Sequence, residues 1–174
     1  MRRLWLAGAA MAAAAVASAA QADDFDARHP ADVAKVIAAH GANGALKRGD
    51  GGKDVFEGQV GELFFEIHFQ DCDAGRTLCQ TMVFSGSWSS KELGADLLNR
   101  WNRWALYCPA FGDTDATPVI WYPVAVSAHT APEDIAADLG VWMNCLKDFD
   151  SFVSGPDDFL RRNGEQPPPA QRPH

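Results

Sequence analysis

Two cysteines that can meet across a β-hairpin constrain the fold of this chain most. Within residues 62–70 (ELFFEIHFQ), the apolar side chains of Leu63, Phe65, Ile67 and Phe69 recur at every second position, which is the pattern of a half-buried strand. Residues 77–86 are predicted to form a second strand, with Met82 and Phe84 on one face. If Cys72 lies opposite Cys79, antiparallel pairing also matches apolar side chains on one face: Phe69 with Met82, and Ile67 with Phe84. A shift by one residue would break both the bridge and this core, so the register is well defined. Both sulfur atoms are then expected on the face opposite Phe69.

The N-terminus has the three regions of a secretory signal. Arg2 and Arg3 precede an almost entirely apolar stretch over residues 4–20, and Ala20-Gln21-Ala22 is a cleavage site of the A-x-A type. A membrane anchor is the alternative, but the uncharged run is shorter than the roughly 20 residues that a spanning helix needs. We therefore expect residues 1–22 to be removed, with no membrane insertion of the mature chain.

The cysteine content fits this export. Four cysteines in an exported chain favour disulfides, and after the hairpin bridge the remaining pair is Cys108 with Cys145. The chain-entropy model gives about 2.5 kcal/mol for the short loop and about 4 kcal/mol for the long one. A zinc site is the alternative, with three candidate ligands: Cys72, Cys79 and His68. No paired C-x-x-C supports it, so we predict no metal.

The mature chain is strongly acidic. Without Arg2 and Arg3 it has 13 Lys+Arg against 23 Asp+Glu, a net charge of −10. Such a charge repels phosphate backbones and anionic lipid surfaces, so nucleic acid is excluded as a partner.

The order of predicted elements indicates an α+β domain. A helix over residues 30–40 is followed by strands, by a second helix opening at the capping box Ser89-x-x-Glu92, and by two strands, the first over residues 107–111. A third helix opens at Thr130-x-x-Glu133, and its apolar stripe consists of Ile135, Leu139, Trp142, Leu146 and Phe149. Short turns between strands predict an antiparallel sheet of about five strands with three helices, in the order α-β-β-β-α-β-β-α. We place the domain at residues 23–155. Residues 156–174 are predicted to be a proline-rich disordered tail, which could alternatively dock a proline-reading partner.

Four segments between residues 30 and 152 carry a recognisable pattern: FFEIHFQDC (64–72), CQTMVFS (79–85), LNRWN (98–102) and WMNCLKDF (142–149). With these segments the chain resembles the YbjN-domain family of bacterial sensory transduction regulators. The resemblance implies a fold similar to that of type III secretion chaperones, and a role in binding or regulating proteins. It supplies no active site, while exported family members carry a cysteine pair in the hairpin loop.

No catalytic or cofactor motif stands out. The chain has no G-x-S-x-G, H-E-x-x-H, phosphate loop or C-x-x-C. His68 is the best titratable candidate, and we interpret it as a surface histidine of the hairpin. We therefore predict no catalytic residue and no cofactor.

Two sets of residues are candidates for other roles. Aromatic side chains off the core stripes predict a surface for a protein partner or for self-association, which includes a homodimer; they are Phe64, Trp104 and Trp121. A second small core is the alternative. The LNRWN motif contributes three residues that we interpret as structural: Asn99, Trp101 and Asn102. A polar contact at a binding edge is the alternative for Asn102.

These observations predict a non-enzymatic, chaperone-like binding or regulatory domain, periplasmic or secreted in a Gram-negative bacterium. Two alternatives remain open at this point. One is a structural envelope-stress protein without a specific ligand, and the other is an enzyme of an unrecognised class, which would need titratable groups converging in a pocket.

Overall fold

The computed structural model describes residues 25–49, 52–89, 93–113 and 117–164; the predicted signal at 1–22 lies outside them. The described elements are, in chain order, α1 Pro30–Ala39, β1 Asn43–Arg48, β2 Asp54–Val60, β3 Leu63–Cys72, β4 Cys79–Ser87, α2 Ala95–Trp104, β5 Ala110–Gly112, β6 Pro118–Ala125, α3 Pro132–Ser154 and α4 Pro156–Arg162.

The strands form one antiparallel sheet in the order β1-β2-β3-β4-β6-β5. The class is therefore α+β, as predicted, with six strands and four helices described. The β3–β4 hairpin has the predicted register throughout: Cys72 opposite Cys79, Phe69 opposite Met82, and Ile67 opposite Phe84. The apolar pairs and the cysteine pair together predict this register, because a shift by one residue would break both.

Both predicted disulfides are present, Cys72–Cys79 and Cys108–Cys145, and they indicate an extracytoplasmic protein. The predicted face of the first bridge was wrong. Cys79 is buried in the same core cluster as Phe69. Asp71 adopts φ 53, and this left-handed residue interrupts the alternation of side chains just before the bridge.

Helices cover one face of the sheet. The indole of Trp142 in α3 lies against Phe65 and Phe84, with ring centroids 6.3 and 5.6 Å apart. The predicted apolar stripe of α3 is buried along its whole length: Ile135, Leu139, Trp142, Leu146 and Phe149. Helix α1 packs beside α3 and contributes Val33 and Ile37 to the same core. Among the described residues, no helix is both long enough and apolar enough to span a bilayer.

Two helix starts differ from the predicted capping boxes. Helix α2 begins at Ala95 after Gly94, and residues 90–92 of the first box lie outside the described part of the chain. Helix α3 has Ala131 at its N-cap, where the Asp134 carboxylate accepts the Ala131 N–H at 2.9 Å. Thr130 instead accepts the backbone N–H of Ser127. Pro132 occupies the first helical turn because it needs no hydrogen bond there.

The predicted boundary of the domain at residue 155 is too early. Residues 156–162 form α4, and both Phe159 and Leu160 are buried in the core cluster. This single apolar pair is too short a pattern to predict a seven-residue helix from the sequence, which explains the error. Only residues 165–174 of the predicted tail lie outside the described chain.

Strands β5 and β6 pair over only a short stretch at one end of the sheet. Strand β5 has three residues and pairs only with the start of β6, at positions 118–120. Pro123 lies beyond that pairing, where β6 has β4 on one side and no second strand among the described residues. The missing N–H of Pro123 therefore removes no sheet hydrogen bond on that side, as expected for a proline at an edge.

Candidate binding surface

The second face of the sheet carries no helix among the described residues. Side chains alternate along each strand, so the neighbours of buried Phe65 and Ile120 point to this open face. Two of them are large and aromatic: Phe64 on β3 is 71% exposed and Trp121 on β6 is 44% exposed. The open face therefore presents two large aromatic side chains to solvent, and aromatic side chains are enriched at protein-binding surfaces.

The two aromatic side chains border a channel floored by small residues. Strand β4 lies between β3 and β6, and its Ser85 pairs with Glu66 on one side and with Trp121 on the other. With a strand spacing of about 4.8 Å, Phe64 and Trp121 stand on strands about 10 Å apart. A depression of about 530 Å³ lies over β1 to β4 and is lined by Phe64, Ser85 and Ser87, but not by Trp121 or any other residue of β6.

Charged side chains on the open face are paired with one another. Lys47 on β1 forms an ion pair with Glu57 on β2. The Nε2 atom of His68 lies 2.8 Å from a carboxylate oxygen of Glu66, two residues away on the same strand face. These pairs place polar groups on the β1–β3 side of the open face, and polar groups are typical of the rim of a protein-binding surface.

The Trp121 side chain contacts an aromatic ring of the neighbouring strand β5. The ring of Phe111 meets it edge-on, with centroids 4.6 Å apart. This contact limits the rotamers of Trp121, and an aromatic side chain held in place loses less entropy when a partner binds.

Trp104 lies elsewhere, so the three predicted aromatic residues do not form one surface. Its ring packs against Trp101 and Phe159 at centroid distances of 5.1 and 4.8 Å, which makes it part of the border of the core. The sequence could not separate Trp104 from the others, because its flanking position on α2 fits either place.

A second apolar surface follows α2 and was not predicted. Leu106 is 82% exposed, Tyr107 is 70% exposed, and Val141 on α3 is 37% exposed. Together with Trp104 they line a pocket of about 320 Å³ beside the Cys108–Cys145 disulfide, here called the Tyr107 pocket. The available signal was the apolar pair Leu106-Tyr107 directly after the helix. The sequence predicts a strand from Tyr107, but β5 begins only at Ala110.

Asp148 of α3 also lines the Tyr107 pocket. Burial raises the pKa of this carboxyl above its usual range, and no cation among the described residues offsets the effect. The pocket therefore combines apolar walls with one carboxylate that is poorly solvated.

The LNRWN motif ties α2 to the strand that follows. The Asn102 side chain donates from Nδ2 to the carbonyl of Ala110 at 2.8 Å and accepts the Ala110 N–H at Oδ1 at 2.6 Å. The indole N–H of Trp101 donates to the carbonyl of Cys108 at 2.8 Å. Asn99 is exposed. Asn102 thus pairs with Ala110 as a neighbouring strand would, at the first residue of β5.

We expect Asn102→Ala to lower the free energy of unfolding by about 1–3 kcal/mol, because it leaves both polar groups of Ala110 without their protein partner. Amide hydrogen exchange at Ala110 should accelerate together with the loss measured by urea denaturation. Asn99→Ala is the matched control, since it removes an exposed asparagine from the same helix. Equal effects of the two substitutions would show that the Ala110 bonds contribute nothing.

Two further histidines, His29 and His129, lie outside these surfaces. His29 lies 3.6 Å from Asp32 at the start of α1, and His129 is exposed in the turn before α3. In the described ranges, no three His, Cys, Asp or Glu side chains are placed to hold a metal ion. Both sulfur atoms that the zinc alternative required form the hairpin disulfide.

Comparison with protein-family models, with curated proteins and with solved structures gave no match.

Proposed function

We propose that this chain is a non-enzymatic binding or regulatory domain, periplasmic or secreted, that holds a segment of a partner protein on the open face of its sheet. One observation carries the proposal: Phe64 and Trp121 stand exposed on either side of the β4 channel, on the sheet face that carries no helix among the described residues. Aromatic anchors beside a small-residue channel are features of protein-binding surfaces.

The charge of the chain favours another protein over a second copy. The mature chain has a net charge of −10, so two copies repel each other as they approach. A partner segment that is neutral or basic meets no such repulsion. We therefore propose an extended segment without excess acidic residues, whose apolar side chains contact the two aromatic rings.

The resemblance to the YbjN-domain family supports the same function. A chaperone-like adaptor needs a sheet face or groove that accepts part of another protein, and the open face offers one. Membership in that family and the role of sensory transduction regulator remain part of the proposal.

Site-specific photocrosslinking tests the proposal in the native cell envelope. A benzoylphenylalanine side chain at position 64 or 121 should give a discrete adduct, whereas the same group at position 35, on exposed α1, should not. The double variant Phe64→Ser/Trp121→Ser should weaken binding of the crosslinked protein at least about tenfold, because buried aromatic anchors usually contribute more than 1 kcal/mol each.

Tyr107→Ser is the matched control, since it removes an aromatic side chain of similar exposure outside the open face. Equal adducts from positions 35 and 64, or unchanged binding by the double variant with an unchanged melting temperature, would refute the proposal. An adduct with a second copy of the chain, together with a dimer in light scattering, would assign the face to self-association instead.

A further inference from the structure

The function proposed for the open face does not involve the Tyr107 pocket. We infer that residues 165–174 of the same chain bind this pocket, with their prolines against Tyr107 and Leu106 and the Arg172 guanidinium on Asp148. The inference concerns a different surface from the proposed function and does not depend on it.

The pocket needs an apolar occupant. Leu106 and Tyr107 are adjacent in the chain, and both side chains are largely exposed. Val141 extends their surface onto α3. Exposing such a cluster to water is unfavourable, by about 25 cal/mol for each Å² of apolar surface. An occupant that covers the three side chains would recover this free energy.

The chain leaves the described structure beside the pocket. Phe159 of α4 meets Trp104, a wall of the pocket, with ring centroids 4.8 Å apart. Asn163 lies one helical turn further and donates from Nδ2 to the carbonyl of Phe159 at 2.8 Å. The ten residues that follow Gly164 can span about 31 Å in a polyproline II conformation, at about 3.1 Å per residue. The segment can therefore cross the pocket with residues to spare.

The composition of the segment complements the pocket. It reads EQPPPAQRPH and contains four prolines, and polyproline II segments dock on aromatic grooves because little conformational entropy is lost. Arg172 is the one Lys or Arg in it, and Asp148 is a carboxylate that no described cation neutralises. Guanidinium and carboxylate groups form strong paired hydrogen bonds, so this contact would set the direction of the segment.

Covalent attachment favours this occupant over a separate protein. A short flexible connection gives an effective concentration in the millimolar range, so even weak contacts keep the segment on the pocket. A free partner with the same chemistry would have to exceed that concentration to displace it.

Nuclear magnetic resonance on the full mature chain tests the inference. In the unmodified chain, amide order parameters of residues 170–172, which follow the three prolines, should exceed about 0.6, the upper limit for a flexible backbone. They should fall below it in the variants Tyr107→Ser and Asp148→Asn. Replacing the three consecutive prolines by glycine, or Arg172→Gln, should shift the amide resonances of Leu106 and Val141 and leave those of Phe64 and Trp121 unchanged.

Order parameters below that limit in the unmodified chain, together with unchanged resonances at Leu106 and Val141 in the tail variants, would overturn the inference. Shifts at these residues on addition of an envelope protein, with the segment still mobile, would assign the pocket to that protein and equally overturn it. Since Phe64 and Trp121 report on the open face separately, either outcome is independent of the crosslinking result.

Discussion

Replacing Trp101 with alanine is expected to lower the free energy of unfolding by about 3–5 kcal/mol, the range observed when a large buried aromatic side chain is truncated. Trp101 is fully buried, and its ring touches four other aromatic rings at centroid distances between 4.8 and 5.9 Å: Trp104, Phe149, Phe152 and Phe159. Those rings come from three helices, so no single neighbour can move in to fill the cavity.

The indole of Trp101 also makes a hydrogen bond that alanine cannot replace. Its Nε1 donates to the Cys108 carbonyl at 2.8 Å, in a buried position. Trp101→Phe keeps much of the ring packing but leaves that carbonyl without its donor, so we expect an intermediate loss of about 1–3 kcal/mol. The two variants together separate the packing contribution from the hydrogen bond.

Urea denaturation followed by circular dichroism measures both losses, because fluorescence changes when a tryptophan is removed. Trp121→Ala is the control, since Trp121 is partly exposed on the open face, and it should cost less than half as much. A Trp101→Ala variant no less stable than Trp121→Ala would contradict the packing described here. If Trp101→Ala does not fold at all, Trp101→Phe still provides the comparison with Trp121→Phe.

The hairpin could be predicted from the sequence because one register satisfied two independent requirements. Apolar pairs such as Phe69 with Met82 require the same strand alignment as the Cys72–Cys79 bridge. An alignment shifted by one residue would therefore lose both the apolar pairs and the bridge. The stripe of α3 was predictable for a related reason, since 23 residues repeat the helical period several times.

Short elements could not be predicted, because their conformation depends on distant contacts. Helix α4 has seven residues and is held by Phe159 in the aromatic cluster around Trp101. Strand β5 has three residues and begins where Asn102 binds Ala110, not at Tyr107 as its apolar character indicated. Local propensity is weak over such lengths, so tertiary contacts decide.

The candidate surfaces were predictable only in part, because exposure depends on which face the helices cover. The alternation along β3 placed Phe64 opposite the core, and the structure puts it there. No sequence pattern indicates that α4 packs against Trp104 while Leu106 and Tyr107 stay exposed. The Tyr107 pocket therefore emerged from packing alone.

Removing the Cys108–Cys145 disulfide is expected to destabilise the domain by about 4 kcal/mol, and removing Cys72–Cys79 by about 2.5 kcal/mol, if the chain-entropy model holds. The Cys108–Cys145 bridge closes a loop with a sequence separation of 37, whereas the Cys72–Cys79 bridge closes a loop with a separation of 7. A longer loop loses more freedom in the unfolded chain, so the larger effect belongs to the bridge that joins the segment before β5 to α3.

The comparison uses the double variants Cys108→Ala/Cys145→Ala and Cys72→Ala/Cys79→Ala, each with the other bridge intact and measured by urea denaturation. Alanine pairs avoid free thiols, which could form wrong bridges in an oxidising compartment. Cys108 and Cys79 are both buried, so the two variants lose similar packing and differ mainly in loop length. If the hairpin variant proves the less stable of the two, the Cys72–Cys79 bridge must act through the folded state, by holding the left-handed Asp71 turn and the core position of Cys79. The order of the two losses therefore distinguishes a bridge that restricts the unfolded chain from one that shapes the native hairpin.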